Sequence, residues 1–441
     1  MLSNAQVMEL RKDFPALQQR HSSNRRPPIY LDNSCVTLTP RQVTSAILDY
    51  HHKYPGCGGH RSDHWFASMA QQRTAESRER LAALFSIPRA ENATEPDAYP
   101  IIFTRNASEA LNLVARTLGL MQGDTVLISD KEHNSNLCPW QEFERSGGGL
   151  TIVNVDPEGR LSADAVLDAV RSDRSIKLLS LHHCSNLDGV TTPLREIVAG
   201  VREIEAQQGR QIYVCVDGAQ SAPHMVLNLG NPGERDHIDV DFFAASLHKM
   251  LGPSGVGFLY AKPQYLDCLN PFMVGGSTIV ETSIYHRPVY ADWPDRFEAG
   301  LQNYSGMHGA GAAATYLRPI LGDVREHEQR LNEILTAAIL PHLASGSLRI
   351  IGPVDPRSRG GITTFLAAAP PDSLRIRRFE EETNDWNIMY RTGQFCVDSW
   401  FSSHVDELPK SYKVYRFSMY FYNTEEEVER LGSLITRHLC S

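Results

Sequence analysis

Residues 240–260 read VDFFAASLHKMLGPSGVGFLY, an apolar run, a short turn and a second apolar run. The turn carries Ser246, His248 and Lys249. A lysine between two buried strands is costly in its charged form, which lowers its pKa and suits Schiff-base chemistry. Most lysines in turns are simply solvated, but Ser-x-His-Lys-x-x-Gly-Pro between two apolar runs is far more specific than a lysine alone. Ser246 and His248 are candidates to donate hydrogen bonds to a phosphate group.

Short β-rich runs alternate with amphipathic helical patterns on both sides of this stretch, from about residue 100 to residue 260. The other runs that predict strands are PIIFTR, DTVLISD, LTIVNV, IKLLSLHH and QIYVCVDGA. The helical patterns between them include SEALNLVARTLGL, NLCPWQEFERSG and PLREIVAGVREIEAQQG. This alternation predicts an α/β fold, with a mainly parallel central sheet and helices on both faces. Ligands bind such sheets at the carboxyl ends of the strands, so the polar residues after each run are the candidates.

After about residue 300 the pattern changes to helix, then the strands LRIIG, GITTFLA, NIMYRTG and YKVYRFSMYF, then a closing helix. We therefore predict three parts: an N-terminal segment at 1–28 that packs with the small domain, a large domain at 29–300, and a small α+β domain at 301–441.

Composition excludes several classes of function. The chain has 441 residues and a net charge of −9, which argues against a nucleic-acid partner, because phosphate backbones need a basic face. No apolar run approaches the roughly 18 residues that suggest a membrane span, and the N-terminus lacks the apolar core of a secretory signal. The eight cysteines show no CxxC pair and no zinc spacing, so we predict no metal and a reducing, cytoplasmic setting.

Asp217 and Gln220 follow the strand QIYVCV. A carboxylate at the end of a central strand is costly unless it has a cationic or donor partner. A protonated pyridine nitrogen is such a partner, and it is central to catalysis by pyridoxal 5′-phosphate (PLP). Gln220 could then bond the ring oxygen of that cofactor. Taken alone, Asp217 is better explained as a helix cap.

Four more candidate residues follow the predicted strands. Ala107 and Ser108 open a helix, where free N–H groups and a hydroxyl suit an anion, although an ordinary cap has the same pattern. His133 follows DTVLISD and could stack on a ring and move protons near neutral pH. Asn186 follows IKLLSLHHCS and could reach the ring oxygen or a substrate carboxylate.

Two arginines lie in the predicted small domain. Arg391 is in YRTGQFC and Arg416 is inside YRFSMYF. Arginine is the usual bidentate partner of a carboxylate, although a strand arginine paired with a neighbouring acid is the ordinary alternative.

In this order and approximate spacing, the motifs resemble class V, fold-type I PLP enzymes, and most closely the group II cysteine desulfurases and selenocysteine lyases. The resemblance runs from about Ile29 to the C-terminus. Its motifs are YLDNS, HRSDHWFA, FTRNASEALNLVA, ISDKEHNSNLCPWQ, SNLDGVTTPLREI, VDGAQSAPH, SLHKMLGPSGVGFLY, RFEAG, YRTGQFC and RFSMYFYNTEEEVERL.

The resemblance implies a role for each of these positions. Lys249 would carry PLP as a Schiff base, with Asp217 on the pyridinium and Gln220 on the ring oxygen. The phosphate would be held by Ala107, Ser108, Ser246 and His248. His133 would stack on the ring, Asn186 would help to place substrate, and Arg416, with Arg391 nearby, would bind the substrate carboxylate. Cys396, in RTGQFC, would take sulfur from L-cysteine as a persulfide and leave L-alanine, with Arg391 and His133 as sources of positive field. The resemblance also implies a homodimer and a sulfur-acceptor protein.

The sequence departs from the family pattern at four places. Gln394 and Phe395 replace the histidines that often precede the cysteine, and Leu301 after Gly300 replaces a threonine that reaches the neighbouring subunit's phosphate. Residues 33–36 read NSCV where small residues are usual, and Cys57 is additional.

Two alternatives stay open at this point. The chain could be another class V enzyme, such as a selenocysteine lyase, a β-eliminating carbon–sulfur lyase, an aminotransferase or an epimerase, in which Cys396 is incidental. It could also be a non-catalytic scaffold that binds a sulfur acceptor, although such a protein has no need of a buried Lys249.

Overall fold

The computed structural model describes residues 2–20, 26–58, 62–90, 99–234, 236–405 and 412–440. Two residues of the HRSDHWFA motif, at 60 and 61, lie outside the described residues. The strands are β1 Ile29–Tyr30, β2 Ile101–Thr104, β3 Thr125–Ser129, β4 Gly149–Val153, β5 Ile176–His182, β6 Tyr213–Asp217, β7 Phe242–Ser246, β8 Gly257–Ala261, β9 Ile279–Ser283, β10 His286–Tyr290, β11 Leu348–Ile351, β12 Ile362–Ala367, β13 Ile388–Met389, β14 Arg391–Thr392 and β15 Lys413–Ser418. The α-helices are α1 Asn4–Leu10, α2 Arg41–Lys53, α3 Trp65–Leu84, α4 Ala107–Thr117, α5 Asn134–Arg145, α6 Ala163–Ser172, α7 Leu194–Gln208, α8 Pro263–Leu266, α9 Tyr304–Leu317, α10 Leu321–Ile339, α11 Leu374–Asp385, α12 Asp398–His404 and α13 Glu425–Leu439.

A seven-stranded sheet forms the centre of the molecule, in the order β2-β8-β7-β6-β5-β3-β4. Strand β8 is antiparallel to both of its neighbours, and the other pairings are parallel. Every residue of β3, β7 and β8 is buried, as expected for strands covered by helices on both faces. The predicted fold class, an α/β fold with a mainly parallel sheet, is confirmed. Its parallel strands bring the carboxyl ends of β5, β6 and β7 to one edge.

A second sheet, entirely antiparallel, has the order β11-β12-β15-β14. It is the α+β part predicted after residue 300, and α10, α11 and α13 share a hydrophobic core with it. Arg391 of β14 lies directly opposite Arg416 of β15, so this sheet delivers both predicted arginines to one place.

The run NIMYRTG was predicted as one strand, and it forms two. Strand β13 pairs with β1 near the N-terminus, whereas β14 pairs with β15. The run divides because its two halves bond to different partners. Helix α6 and the hairpin of β9 and β10 were not predicted.

The N-terminal segment contacts the C-terminal part of the chain. Arg11 forms a salt bridge of 2.8 Å with Glu427, and the ring of Phe14 packs on Tyr316, Phe421 and Tyr422. These contacts agree with an N-terminal segment that packs on the small domain, but the domain boundaries stay a prediction. Among the described residues, no helix combines the length and the apolar character needed to cross a membrane.

Candidate active site

Lys249 ends the 3-10 turn, Leu247–Lys249, that follows β7. The turn is fixed from outside, because the N–H of Thr37 donates to the carbonyl of His248 at 2.8 Å. Within the described residues, Lys249 Nζ has no hydrogen-bond or salt-bridge partner. Burial lowers the pKa of Lys249, against the opposing effect of Asp217, and the charge of Arg416 lowers it further. An unpaired amine whose neutral form is favoured is suited to act as a nucleophile and a base.

Asp217 and Gln220 lie beside this amine at the end of β6. Asp217 Oδ1 accepts from the N–H of Ala219 at 2.9 Å. The amide nitrogen of Gln220 donates to the carbonyl of Ser34 at 2.6 Å, while its buried Oε1 has no partner. Both side chains are therefore buried polar groups with capacity left for a ligand.

Two helix N-termini and a strand end meet next to Lys249. The N–H of Ala107, the first residue of α4, donates to Ser246 Oγ at 2.8 Å. Ser108 Oγ lies 2.5 Å from Ser135 Oγ in the first turn of α5. Hydroxyl groups at the starts of two helices suit an anionic group such as phosphate.

His248 is half-buried near this hydroxyl cluster. Burial and the charge of Lys249 lower the pKa of His248 to about 4. The ring is therefore neutral near pH 7, and it has one N–H to donate.

His133 caps the start of α5, with Nδ1 accepting from the N–H of Ser135 at 3.0 Å. That bond leaves Nε2 to carry the ring proton. Burial, and then the charge of Lys249, lower the pKa of His133, so its neutral form prevails near pH 7. The role of His133 as a source of positive field for Cys396 stays a prediction.

Glu132 anchors the loop that carries His133. Its carboxylate accepts from His182 Nδ1 and from the His182 backbone N–H, both at 2.9 Å, and from Ser129 and Asn136. Burial would raise the pKa of Glu132, but His182 and the other donors hold it below its usual value. His182 is in register with Asp217, so the network fixes the His133 loop to the central sheet.

His183 supports a prediction about stability and pH. It is 4% exposed, its Nδ1 has no partner, and burial lowers its pKa to about 3. Unfolded histidine titrates near 6.5, so below that pH the unfolded chain binds a proton that the folded chain does not. The free energy of unfolding therefore decreases as the pH is lowered. Protonation of His183 in the unfolded chain accounts for about 2 kcal/mol of this decrease between pH 6.5 and pH 5.

We expect the thermal unfolding midpoint, measured from pH 7 to pH 5, to fall less steeply in His183→Gln than in the unmodified protein. The exposed His52 provides a control, and His52→Gln should leave the slope unchanged. Identical slopes for the unmodified protein and His183→Gln would contradict the assignment.

Arg416, in β15 of the second sheet, reaches the loop after β5 of the central sheet and is 3% exposed. Nη1 donates to the carbonyl of Asn186 at 2.9 Å, and Nη2 lies 3.5 Å from Asp32 Oδ1. The buried Nε has no partner. Burial lowers the pKa of Arg416 in spite of the opposing charge of Asp32. A buried guanidinium with an unused donor is suited to bind a carboxylate.

Arg391 shares Asp32 with Arg416. Its Nη2 donates to Asp32 Oδ2 at 2.9 Å and to Cys35 Sγ at 2.7 Å. Arg391 was predicted as a second cation near Arg416, and the two lie together. Within the part of the chain that the structure describes, however, its side-chain bonds go to Asp32 and Cys35 and not to Cys396.

Cys396 is exposed in the loop after β14. Phe395 and Cys396 both have positive φ, +56° and +60°, which is uncommon for residues other than glycine. Residues that follow β3 and β5 of the central sheet hold this loop: the N–H of Asn134 donates to the Cys396 carbonyl at 2.7 Å, and Asn186 Nδ2 to the Phe395 carbonyl at 2.8 Å. Asn186 thus connects the Cys396 loop to Arg416.

Hydrogen bonds connect several of the predicted residues: Asn186 bonds both Arg416 and the Phe395 carbonyl, and Asn134 bonds the Cys396 carbonyl. The charges of Asp217 and Arg416 also affect the pKa of Lys249 and that of His133. Sequence reasoning missed Asp32, Glu132 and His182. Asp32 in YLDNS and His182 at the end of IKLLSLHH are both polar residues at strand ends. The same pattern identified the other candidate residues, so it could have identified these two as well.

The unpaired groups fit PLP. Lys249 Nζ could bond the aldehyde carbon, Asp217 the protonated ring nitrogen and Gln220 the ring oxygen, while the hydroxyls and N–H groups at the starts of α4 and α5 could bind the phosphate. Without such a group, Lys249 Nζ and Gln220 Oε1 are polar atoms without partners.

Comparison with known proteins agrees with this geometry. The family model for aminotransferase class-V matches residues 29–431. The chain belongs to the aminotransferase class-V family. Among curated class-V relatives, a cysteine desulfurase of Haloferax volcanii is 32% identical, covering 97% of this chain and 96% of the relative. A cysteine desulfurase of Enterobacter is also 32% identical, with 98% of each chain covered.

Solved structures give the same result for this class-V protein. Cysteine desulfurase from Thermococcus onnurineus, in its apo form, matches with a TM-score of 0.81 and 29% identity over 98% of both chains. The cysteine desulfurase CsdA from Escherichia coli, in an S-sulfonic acid form, matches with a TM-score of 0.78 and 26% identity, over 100% of this chain and 99% of that one. The predicted class, and the likeness to cysteine desulfurases in particular, are confirmed.

Proposed function

We propose that this protein is a PLP-dependent cysteine desulfurase that converts L-cysteine to L-alanine and keeps the sulfur as a persulfide on Cys396. The observation that carries the proposal is that Asn186 bonds both Arg416 and the loop of the exposed Cys396, at the same edge of the central sheet that carries Lys249. Full-length similarity to proteins named cysteine desulfurase supports the same activity.

Each residue has a defined task in this proposal. Bound PLP would supply an electron sink for the negative charge that develops at the substrate α-carbon. Arg416 binds the substrate carboxylate through its free Nε, and Asn186 keeps the arginine in place. Lys249, with its neutral form favoured by burial, removes and returns the α-proton. His133, neutral and protonated on Nε2, presents a ring face and one N–H.

Cys396 receives the sulfur. Its thiolate attacks the sulfur of the substrate, the carbon–sulfur bond breaks, and a proton takes the place of sulfur on the carbon. The products are L-alanine and a persulfide, with no external oxidant or reductant. The hydrogen bonds from Asn134 and Asn186 hold the backbone of the loop at Phe395 and Cys396, which orients the nucleophile.

Product analysis tests the proposed activity. Purified protein loaded with PLP is given L-cysteine, and alanine, sulfide, pyruvate and ammonia are measured. Desulfuration gives alanine, with sulfide released once a reductant is added. Pyruvate and ammonia in place of alanine would identify a β-eliminating lyase, and no turnover of cysteine would indicate another class V activity.

Arg416→Lys should raise the Michaelis constant for cysteine about tenfold to a few hundredfold, because a buried charge-assisted hydrogen bond is worth about 1.5–3 kcal/mol or more. Retention of PLP should change little. Arg359 is another buried arginine, bonded to Thr336 at 2.7 Å, and Arg359→Lys is the matched control. An unchanged Michaelis constant in Arg416→Lys would leave Arg416 with a structural role only.

We also propose a homodimer. Strands β9 and β10 form a hairpin with outward apolar side chains, including Val280, Ile284 and Tyr285, and Ile284 is 89% exposed. Leu301 is also exposed, at the position where the family's threonine reaches a neighbouring subunit. Exposed apolar groups of this kind are typical of interfaces, and a second copy of the chain is the partner that the family implies. Sedimentation of the PLP-loaded protein measures this state.

A cytoplasmic location and a sulfur-acceptor protein complete the proposal. All eight cysteines are free, which supports a reducing compartment. Exposed Cys396 supports transfer to another protein, since the persulfide would be accessible.

A further inference from the structure

Helix α12 begins two residues after Cys396. Its apolar side chains Trp400 and Phe401 are buried in the same hydrophobic core as Leu127 of β3. Phe395, on the other side of Cys396, packs against that core as well. Because the chain is packed on the central sheet both before and after Cys396, the placement of α12 determines where the Cys396 loop lies.

The two ends of α12 are attached to one short segment, residues 130–134, which follows β3. At the start of the helix, Asn134 Nδ2 donates to Asp398 Oδ2 at 2.6 Å. At its end, His404 Nε2 lies 3.4 Å from Asp130 Oδ2. The same segment carries the histidine that is proposed to stack on the cofactor ring, so it connects α12 with the cofactor site.

Asp130 is held in place independently of His404. Its Oδ1 accepts from the Val155 N–H at 3.0 Å, and its carbonyl accepts from Ser399 Oγ at 3.3 Å. Oδ2 is buried and forms no hydrogen bond within the described residues, so the His404 ring is its partner, as an ion pair. Burial raises the pKa of Asp130, against the opposing effects of the Val155 N–H and of the charge on His404.

The protonation of His404 determines the strength of this contact. Nδ1 lies 3.1 Å from the Trp400 carbonyl, which can only accept, and 2.9 Å from Ser403 Oγ, whose own proton can go to the Ser399 carbonyl at 3.0 Å. Nδ1 is therefore a donor and carries a proton. A second proton, on Nε2, makes the ring a cation that faces the Asp130 carboxylate. Without it, Nε2 presents a lone pair to a buried charge, which is unfavourable.

Two other charged side chains belong to the same elements. Lys131 also lowers the pKa of Asp130, but its ammonium is bonded to Asp188 at 2.9 Å. Asp398 is the other charged residue of α12, and it is bonded at the opposite end of the helix. Histidine is the side chain that ordinarily changes its charge between about pH 5 and 8, so His404 is the group that makes this contact depend on pH.

Resting on the proposed function, we propose that Asp130 and His404 are positioning residues for Cys396. Their ion pair holds α12 against the segment after β3, and α12 in turn holds Cys396 where its thiolate can attack the sulfur of the bound substrate. When His404 loses its proton, the end of α12 is released from Asp130 and the Cys396 loop loses one of its supports. The pair acts on sulfur removal and not on substrate binding, so kcat depends on it and the Michaelis constant does not.

The first experiment measures alanine formation from L-cysteine by PLP-loaded protein with a reductant present. His404→Leu removes the pair, and kcat should fall about three- to tenfold with an unchanged Michaelis constant, as expected for a half-buried ion pair. His404→Gln keeps a neutral donor toward Asp130 and should recover most of kcat. Alanine formation from selenocysteine should change little in either variant, because a selenolate leaves carbon more easily and depends less on an attacking thiolate.

The pH dependence tests the protonation directly. The ratio of the unmodified kcat to the His404→Gln kcat cancels the ionisation of Cys396, which both proteins share. This ratio should fall about three- to tenfold from pH 6 to pH 9, as His404 loses its proton. Asp130→Asn should reverse the trend, because an amide N–H in place of Oδ2 donates to the neutral ring. His438 pairs with Glu382 at 2.5 Å and is the matched control, since His438→Gln should keep the unmodified pH profile.

Hydrogen exchange of the peptides that cover residues 393–405 measures the support of the loop without turnover. At pH 6, exchange should be faster in His404→Leu than in the unmodified protein and in His404→Gln. Unchanged exchange or an unchanged kcat in His404→Leu overturns the proposal, as does a kcat ratio that is constant with pH. Equal losses with cysteine and selenocysteine also overturn it, because the pair would then support the whole site. Absence of alanine from cysteine in the unmodified protein would overturn the proposed function, and the exchange result alone would then decide whether the pair holds α12.

Discussion

Lys249→Ala is expected to abolish covalent attachment of PLP and to lower cysteine turnover by at least about 10²–10⁴-fold, the range for loss of a general base. The physical reason is that Lys249 provides an amine without a hydrogen-bond partner beside Asp217, and burial keeps its neutral form available. Borohydride reduction followed by peptide mapping measures the attachment directly. The unmodified protein should gain the cofactor mass on the Lys249 peptide, and the variant should not.

Lys131 supplies the matched control. It is fully buried like a core residue, but its Nζ forms a salt bridge of 2.9 Å with Asp188. Lys131→Ala should lower the thermal unfolding midpoint, because it leaves Asp188 as a buried charge without its partner, while borohydride still fixes PLP to Lys249. Cofactor mass on any peptide of Lys249→Ala, together with turnover near that of the unmodified protein, would refute the assignment of Lys249.

The central sheet was predictable because its strands are short, continuous apolar runs, and their carboxyl ends had to meet at one edge. That rule located Asp217, Ser246, Lys249 and His133 from sequence order alone. The division of the NIMYRTG run into two strands could not be predicted in this way. It depends on the pairing of β13 with β1, which lies more than 350 residues away in sequence.

The electrostatic partners were harder to predict than the residues themselves. Arg391 was expected to serve Cys396, but the structure directs it to Asp32 and Cys35. Sequence gives no register between β14 and the segment after β1, and a guanidinium bonds to whichever acceptor the tertiary fold presents. The same holds for His133, whose pKa is lowered by burial and by the charge of Lys249 rather than by its own neighbours in sequence.

Cys396→Ala is expected to leave PLP attachment intact and to lower alanine formation from cysteine by at least about two orders of magnitude, because the attacking nucleophile is removed. The thermal unfolding midpoint should change little, since Cys396 is exposed and alanine keeps the β-carbon at a position with φ +60°. The exposed Cys268 serves as control, and Cys268→Ala should retain full activity.

Selenocysteine separates the loss of the nucleophile from damage to the cleft. A selenolate leaves carbon more easily than a thiolate, so Cys396→Ala should still form alanine from selenocysteine while it fails with cysteine. Loss of both activities would mean that the substitution disturbs the loop held by Asn134 and Asn186. Sulfide release from cysteine at the unmodified rate would instead remove the persulfide from the mechanism. The chain would then be a class V enzyme in which Lys249 and Arg416 act on cysteine without a protein thiol.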